Sequence, residues 1–151
     1  MATKSTKPES RQRLQSLAEF RYTLRKFLHF SEQAAAQSSL QPQQHQLLLQ
    51  IAGAPDGVDT TISYVAERLG LRHNSVVELS KRCADAGLVE RLQNNPDHRY
   101  VVLQLTSAGH RALNALSEAH AKELYELAPQ LVGALNRIRK SAGEADREAS
   151  E

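Results

Sequence analysis

Over residues 61–105 the hydrophobic period changes from helical to alternating, and few folds accommodate that order. Thr61 is a helix-capping residue, followed by Ile62, Val65, Ala66 and Leu69 at i, i+3, i+4 and i+7, so residues 62–69 are expected to be a short amphipathic helix. Gly70-Leu71-Arg72-His73 turns the chain. A second helix over residues 74–86 places Val76, Leu79 and Cys83 on one face, and Gly87 ends it as a C′ residue would. Two short strands follow, residues 88–93 and 99–105, the latter alternating through Val101, Leu103 and Leu105. Asn94-Asn95-Pro96-Asp97-His98 forms the turn between them.

Two short helices joined by a tight turn and followed by a hairpin make a winged helix-turn-helix. The flanking segments are helical. Leu14, Leu17, Phe20, Leu24 and Phe27 or Leu28 predict a helix over residues 14–37, which Ser38-Ser39-Leu40-Gln41-Pro42 breaks. Leu47, Leu48 and Ile51 predict another over residues 43–52, and Gly53-Ala54-Pro55-Asp56-Gly57 is a loop. Thr106 caps a long helix whose stripe runs Leu113, Leu116, His120, Leu124, Leu127, Leu131, Leu135, Ile138. Pro129 is expected to begin a new helical segment there. The fold class is mainly α with a small β-hairpin wing (α+β). One domain spans residues 14–140, with the winged helix-turn-helix at 43–106. Residues 1–13 read as a flexible basic leader, and residues 141–151 as a disordered tail.

A net charge of +2 on 151 residues appears at first to exclude a strongly basic nucleic-acid binder. The charge is unevenly placed, however. Residues 1–30 carry seven basic side chains and two acids, residues 31–59 carry three acids and no Lys or Arg, and the remainder is nearly balanced. Local fields are what a polyanion meets. With 40% apolar and 24% charged residues the composition is that of a globular protein, and no apolar run is long enough to span a membrane. The polar start of the chain argues against secretion, and a lone cysteine, Cys83, fits a reducing compartment. The expected location is the cytoplasm.

The second helix of such a motif has the width of the DNA major groove, and polar residues at its start reach base edges. Here these are His73, Asn74 and Ser75, with Val77, Glu78, Lys81 and Arg82 further along the outward face. A hairpin whose tip bears Asn94, Asn95, His98 and Arg99 could lay a guanidinium into the narrow minor groove, and Arg91 on the first strand could hold the backbone.

The residues resemble the MarR family of bacterial transcriptional regulators. The likeness rests on Val65-Ala66-Glu67-Arg68-Leu69-Gly70, Ala86-Gly87-Leu88-Val89-Glu90-Arg91, Asp97-His98-Arg99 and Leu105-Thr106-Ser107-Ala108-Gly109. It implies a homodimer formed through helices 14–37 and 107–140, binding a pseudo-palindromic operator in double-stranded DNA, usually to repress. Under it Asp97 would orient an arginine, Arg99 would enter the minor groove, and Ser75, Val76 and Val77 would begin the recognition helix. It further implies release by a small aromatic or phenolic carboxylate, for which Tyr22, Arg25, His29, Phe30 and His45 are the candidate ligand residues. Two positions depart from the family's pattern. Glu78 stands where a basic or neutral residue is usual, an acid that faces phosphates unfavourably or could instead accept a hydrogen bond from cytosine N4. Arg72 stands where Ser or Thr caps the recognition helix.

Cys83 falls on the apolar face of its helix, which favours a packed, inert thiol over a redox sensor. His29 and His120 read first as satisfied core or interface histidines. The six histidines show no metal-ligand spacing, and no cofactor or metal is expected. No nucleophile–base arrangement or phosphate loop can be assembled, so the chain is not read as an enzyme. The alternatives are a winged-helix module that docks a protein, or a regulator switched through its thiol.

Overall fold

The structure is a computed structural model and describes residues 8–93 and 100–148. Five helices and two strands follow in the order α1 (Pro8–Gln37), α2 (Pro42–Ala52), α3 (Ile62–Leu69), α4 (His73–Asp85), β1 (Val89–Leu92), β2 (Val102–Leu105) and α5 (Ser107–Glu148). The described residues form two compact units, one drawn from Glu32–Ala119 and the other from the chain up to Ser31 and from His120 onward.

The first unit holds the winged helix-turn-helix. Thr61 Oγ1 accepts the Tyr64 N–H at 3.1 Å and caps α3 as its sequence position predicts. Helix α4 ends in a Schellman arrangement. The Gly87 N–H reaches the Ala84 carbonyl at 2.9 Å and the Leu88 N–H reaches Cys83 at 2.9 Å. Gly87 adopts φ 73°, a left-handed conformation that a residue with a Cβ resists. Strands β1 and β2 pair antiparallel with Val89 opposite Leu105 and Leu92 opposite Val102. An isolated bridge from Thr61 to Val102 extends the ladder on the far side of β2, and the Thr60 hydroxyl donates to the Leu103 carbonyl. Leu47 and Leu48 from α2, Val65 from α3, Val76, Leu79 and Cys83 from α4, and Leu103 from β2 meet in one core. Removing these side chains from water is the main force holding the three short helices together.

Thr106 joins the end of α4 to the start of α5 in this unit. Thr106 Oγ1 donates to the Gly87 carbonyl at 2.6 Å and accepts the Gly109 N–H at 3.1 Å, while the Thr106 N–H binds the Leu88 carbonyl at 3.0 Å. The end of α4 and the first turn of α5 therefore lie in direct backbone contact. Gly109 permits the approach, since a Cβ there would lie 2.1 Å from the Leu88 carbonyl oxygen.

In the second unit, α1 and α5 meet through His120, whose Nε2 shares a 2.7 Å hydrogen bond with Ser31 Oγ. The imidazole stands edge-on to Phe27 and Phe30, with ring centroids 5.9 and 5.6 Å away. His120 is thus a satisfied packing residue. Ser16, Thr23, Ser31, Leu127 and Ala134 are also buried here.

Several expected boundaries move. Helix α1 starts at Pro8, inside the segment read as a flexible leader, because Pro suits the first helical position and Glu9 suits the first turn. Helix α5 runs on to Glu148 through residues read as a disordered tail, and it passes through Pro129 without ending. The missing N–H at Pro129 frees the carbonyl of Tyr125, a residue 79% exposed, where water can satisfy it.

Candidate nucleic-acid interface

Helix α4 buries Val76, Leu79, Ser80 and Cys83 and presents His73, Asn74, Ser75, Glu78, Lys81 and Arg82 to solvent, with Val77 half-buried at the edge of that face. The exposed set is the one expected from helical periodicity. Its N-terminus carries no side-chain cap, because Arg72 occupies the capping position and cannot accept a hydrogen bond. The first-turn N–H groups therefore point outward at the positive end of the helix dipole. Arg72 is itself exposed and has no ion-pair partner among the described residues. A cation at this end is unfavourable to the isolated helix by roughly 0.3–1 kcal/mol. The same placement adds a positive charge to the attraction that a helix start has for an anion. The sequence pattern marks Arg72 only as a missing cap; its exposed charge beside the uncapped helix start is what the structure adds.

Glu78, the acid among these residues, accepts a hydrogen bond from Lys81 Nζ at 3.1 Å, with both side chains largely exposed. Such a pair adds under about 1 kcal/mol to stability, yet it changes what the face offers, since the carboxylate is already partnered. Arg91 lies on β1 opposite Leu103, and its Nε is buried with no hydrogen-bond partner among the described residues. Asn95, Asp97, His98 and Arg99 lie outside the described residues.

The expected ligand residues are only partly brought together. Tyr22, Arg25 and His29 are exposed at i, i+3 and i+7 on α1, and Phe30, half-buried, packs on His120. Tyr22 is faced by Lys26, whose Nζ sits 5.0 Å from the ring centroid. His45 belongs to the other compact unit, where it is 2% exposed and its Nδ1 lies 3.4 Å from Gln46 Nε2. The α2 face that carries it is buried in that unit.

Cys83 is fully buried, and desolvation, only partly offset by the nearby Arg82 charge, pushes its thiol up to about 11. It stays protonated at neutral pH and out of reach of oxidants. Among the described residues no three His, Cys, Asp or Glu side chains are grouped to hold a metal ion, and no helix is long and apolar enough to cross a membrane.

Residues 38–99 match the sequence model described as "MarR family". That span runs from the end of α1 to the hairpin and contains every candidate DNA contact. No curated protein matches the sequence. Among solved structures, AbsC, a MarR family transcriptional regulator from Streptomyces coelicolor, is similar with a TM-score of 0.68 and 18% identity over 97% of this chain and 99% of that one. MepR of S. aureus in complex with DNA gives a TM-score of 0.64 and 21% identity over 87% and 95% of the two chains. A disulfide-formed structure of AbfR gives a TM-score of 0.62 and 23% identity over 86% and 90%. At these identities the likeness establishes the shared fold.

Proposed function

We propose that this chain is a member of the MarR family, whose sequence model its residues 38–99 match, and that it is a transcriptional regulator which binds a pseudo-palindromic operator as a homodimer. The observation that carries this reading is the exposed face of α4: an uncapped helix start beside Arg72, followed by Asn74, Ser75, Glu78, Lys81 and Arg82. Phosphates are drawn to the first turn, and the side chains beyond it offer the donors and acceptors that read base edges. The solved complex of MepR with DNA supports the reading by showing the same fold engaged with a duplex.

Dimerisation is supported by the second compact unit. Leu14, Leu17, Tyr22, Leu28, Leu124, Tyr125, Val132 and Leu135 are large apolar side chains exposed on its two helices. A solitary soluble chain rarely leaves so many together in water. A second copy covering them would present two α4 helices to successive turns of one duplex face.

Release by a small aromatic or phenolic acid is the further part of the proposal, supported by the Arg25 and His29 donors beside Tyr22 on α1. Repression is its expected outcome, and the cytoplasm its place of action. A ligand can act only by its differential affinity for the DNA-competent state.

The test is an anisotropy titration of duplex DNA at a series of salt concentrations. DNA binding gives an affinity that falls linearly in log salt, and a protein-docking module shows no such duplex binding. Arg99→Ala is expected to weaken binding strongly while sedimentation still shows a dimer. A flat salt response, or unchanged affinity in Arg99→Ala, refutes the reading.

A further inference from the structure

We infer that Glu78 is a base-reading residue, specifying a cytosine in each half-site through its carboxylate; the inference rests on the DNA-binding reading above. With Val76, Leu79, Ser80 and Cys83 buried, helical rotation puts Glu78 within about 30° of the direction opposite the buried stripe. It is therefore among the outermost side chains of α4, one turn after Asn74 and Ser75 and one turn before Lys81 and Arg82. Whatever that face docks on, Glu78 meets early.

An acid in this place is repelled by phosphates and cannot donate to the acceptors of guanine or thymine. The group in the major groove that a carboxylate can engage favourably is an exocyclic amino group, and the N4 amino group of cytosine is the one matched to Glu. The local geometry suits that role. Lys81 Nζ holds Oε1 at 3.1 Å, which offsets the negative charge against the DNA backbone. Oε2 has no partner among the described residues and is left to accept a hydrogen bond. Lys81 is in this sense a positioning residue. Asn74 and Arg82, on the same exposed face, match adenine and guanine by their own donor patterns.

The experiment selects duplexes from a pool with a random core, using the full-length wild type, Glu78→Gln and Glu78→Ala. Binding to the winning duplexes is then measured by anisotropy. Glu78 is exposed, so all three proteins are expected to melt alike. Wild type should enrich a motif with one C·G pair per half-site whose replacement costs about tenfold or more in affinity. Glu78→Gln should shift that position towards A·T, because an amide reads adenine N6 and N7. Glu78→Ala should lose preference there and keep it elsewhere. Identical motifs in all three proteins overturn the inference while leaving DNA binding intact. So does a Glu78→Ala variant that binds every duplex more tightly with no position relaxed, since Glu78 would then be only a repulsive charge. A wild type that enriches no motif overturns the DNA-binding reading and this inference with it.

Discussion

Replacing Gly109 with alanine tests whether the joint between α4, β1 and α5 is as tight as its geometry states. The new Cβ would lie 2.1 Å from the Leu88 carbonyl oxygen, 3.1 Å from the Leu88 carbonyl carbon and 3.3 Å from Leu105 Cγ. A carbon–oxygen contact relaxes at about 3.3 Å, so the backbones must part by roughly 1 Å. Neither side can yield alone. The Leu88 carbonyl accepts the Thr106 N–H at 3.0 Å and the adjoining Gly87 carbonyl accepts the Thr106 hydroxyl at 2.6 Å. Opening the joint stretches both bonds, each worth about 1 kcal/mol, and adds overpacking strain of about 1–3 kcal/mol. Alanine's better helix propensity offsets about 1 kcal/mol. The net expectation is a loss of about 2–4 kcal/mol, or a fall in Tm of roughly 5–15 °C for a chain of this size. Gly143→Ala, also in α5, meets nothing within 4 Å and is the matched control, expected to melt at or slightly above wild type. Differential scanning calorimetry of the three proteins decides it. A Gly109→Ala variant that melts with the control refutes the close approach and the reasoning built on it.

Other perturbations test separate contacts. Thr61→Ala removes the acceptor of the Tyr64 N–H and should cost about 1 kcal/mol in denaturant unfolding, with the slope unchanged. The Cys83 thiol should resist an aromatic disulfide reagent in the native protein and react fully once unfolded; rapid native labelling would contradict its burial. Its raised pKa means the folded state retains a proton that the unfolded state has lost, so the stability it supports is complete below pH 9 and declines as pH rises towards about 11. Wild type should therefore lose stability faster than Cys83→Ala across that alkaline window in melts at stepped pH, and parallel curves would refute it. Arg72→Ala should weaken binding to duplexes of every sequence alike and reduce the salt slope by about one, whereas a change confined to one base position would mean it reads a base.

What could be read from the amino acids follows the reach of each interaction. Helices α3 and α4 were legible because their caps and stripes are local: Thr61, Gly70 and Gly87 act within a turn of where they stand. The outward face of α4 followed from the same periodicity, whereas the weak cap at Arg72 showed as a departure from the family's pattern. The start of α1 was misplaced because Glu9-Ser10-Arg11-Gln12-Arg13 has no apolar rhythm, although Pro8 was a signal that periodicity ignores. Pro129 misled in the opposite direction, since a helix can carry a proline where the freed carbonyl faces water. The 2.1 Å approach at Gly109 depends on a carbonyl twenty-one residues earlier, and no local pattern encodes it. The burial of His45 was illegible for a like reason, because its orientation is settled by how α2 packs. The Glu78–Lys81 pair was available from its i, i+3 spacing, and with it a different meaning for an acid that looked misplaced.

The Thr106 hydroxyl has a mechanical consequence for regulation. It clasps the end of α4 to the first turn of α5 through two backbone partners, and parting the two pieces would cost both hydrogen bonds. An effector cannot retune the recognition helix by sliding it along the start of α5 without breaking that clasp. Under the proposed regulatory reading, a change in the spacing of two such helices is therefore expected to be hinged outside this clasp, with α4 and the first turn of α5 shifting together.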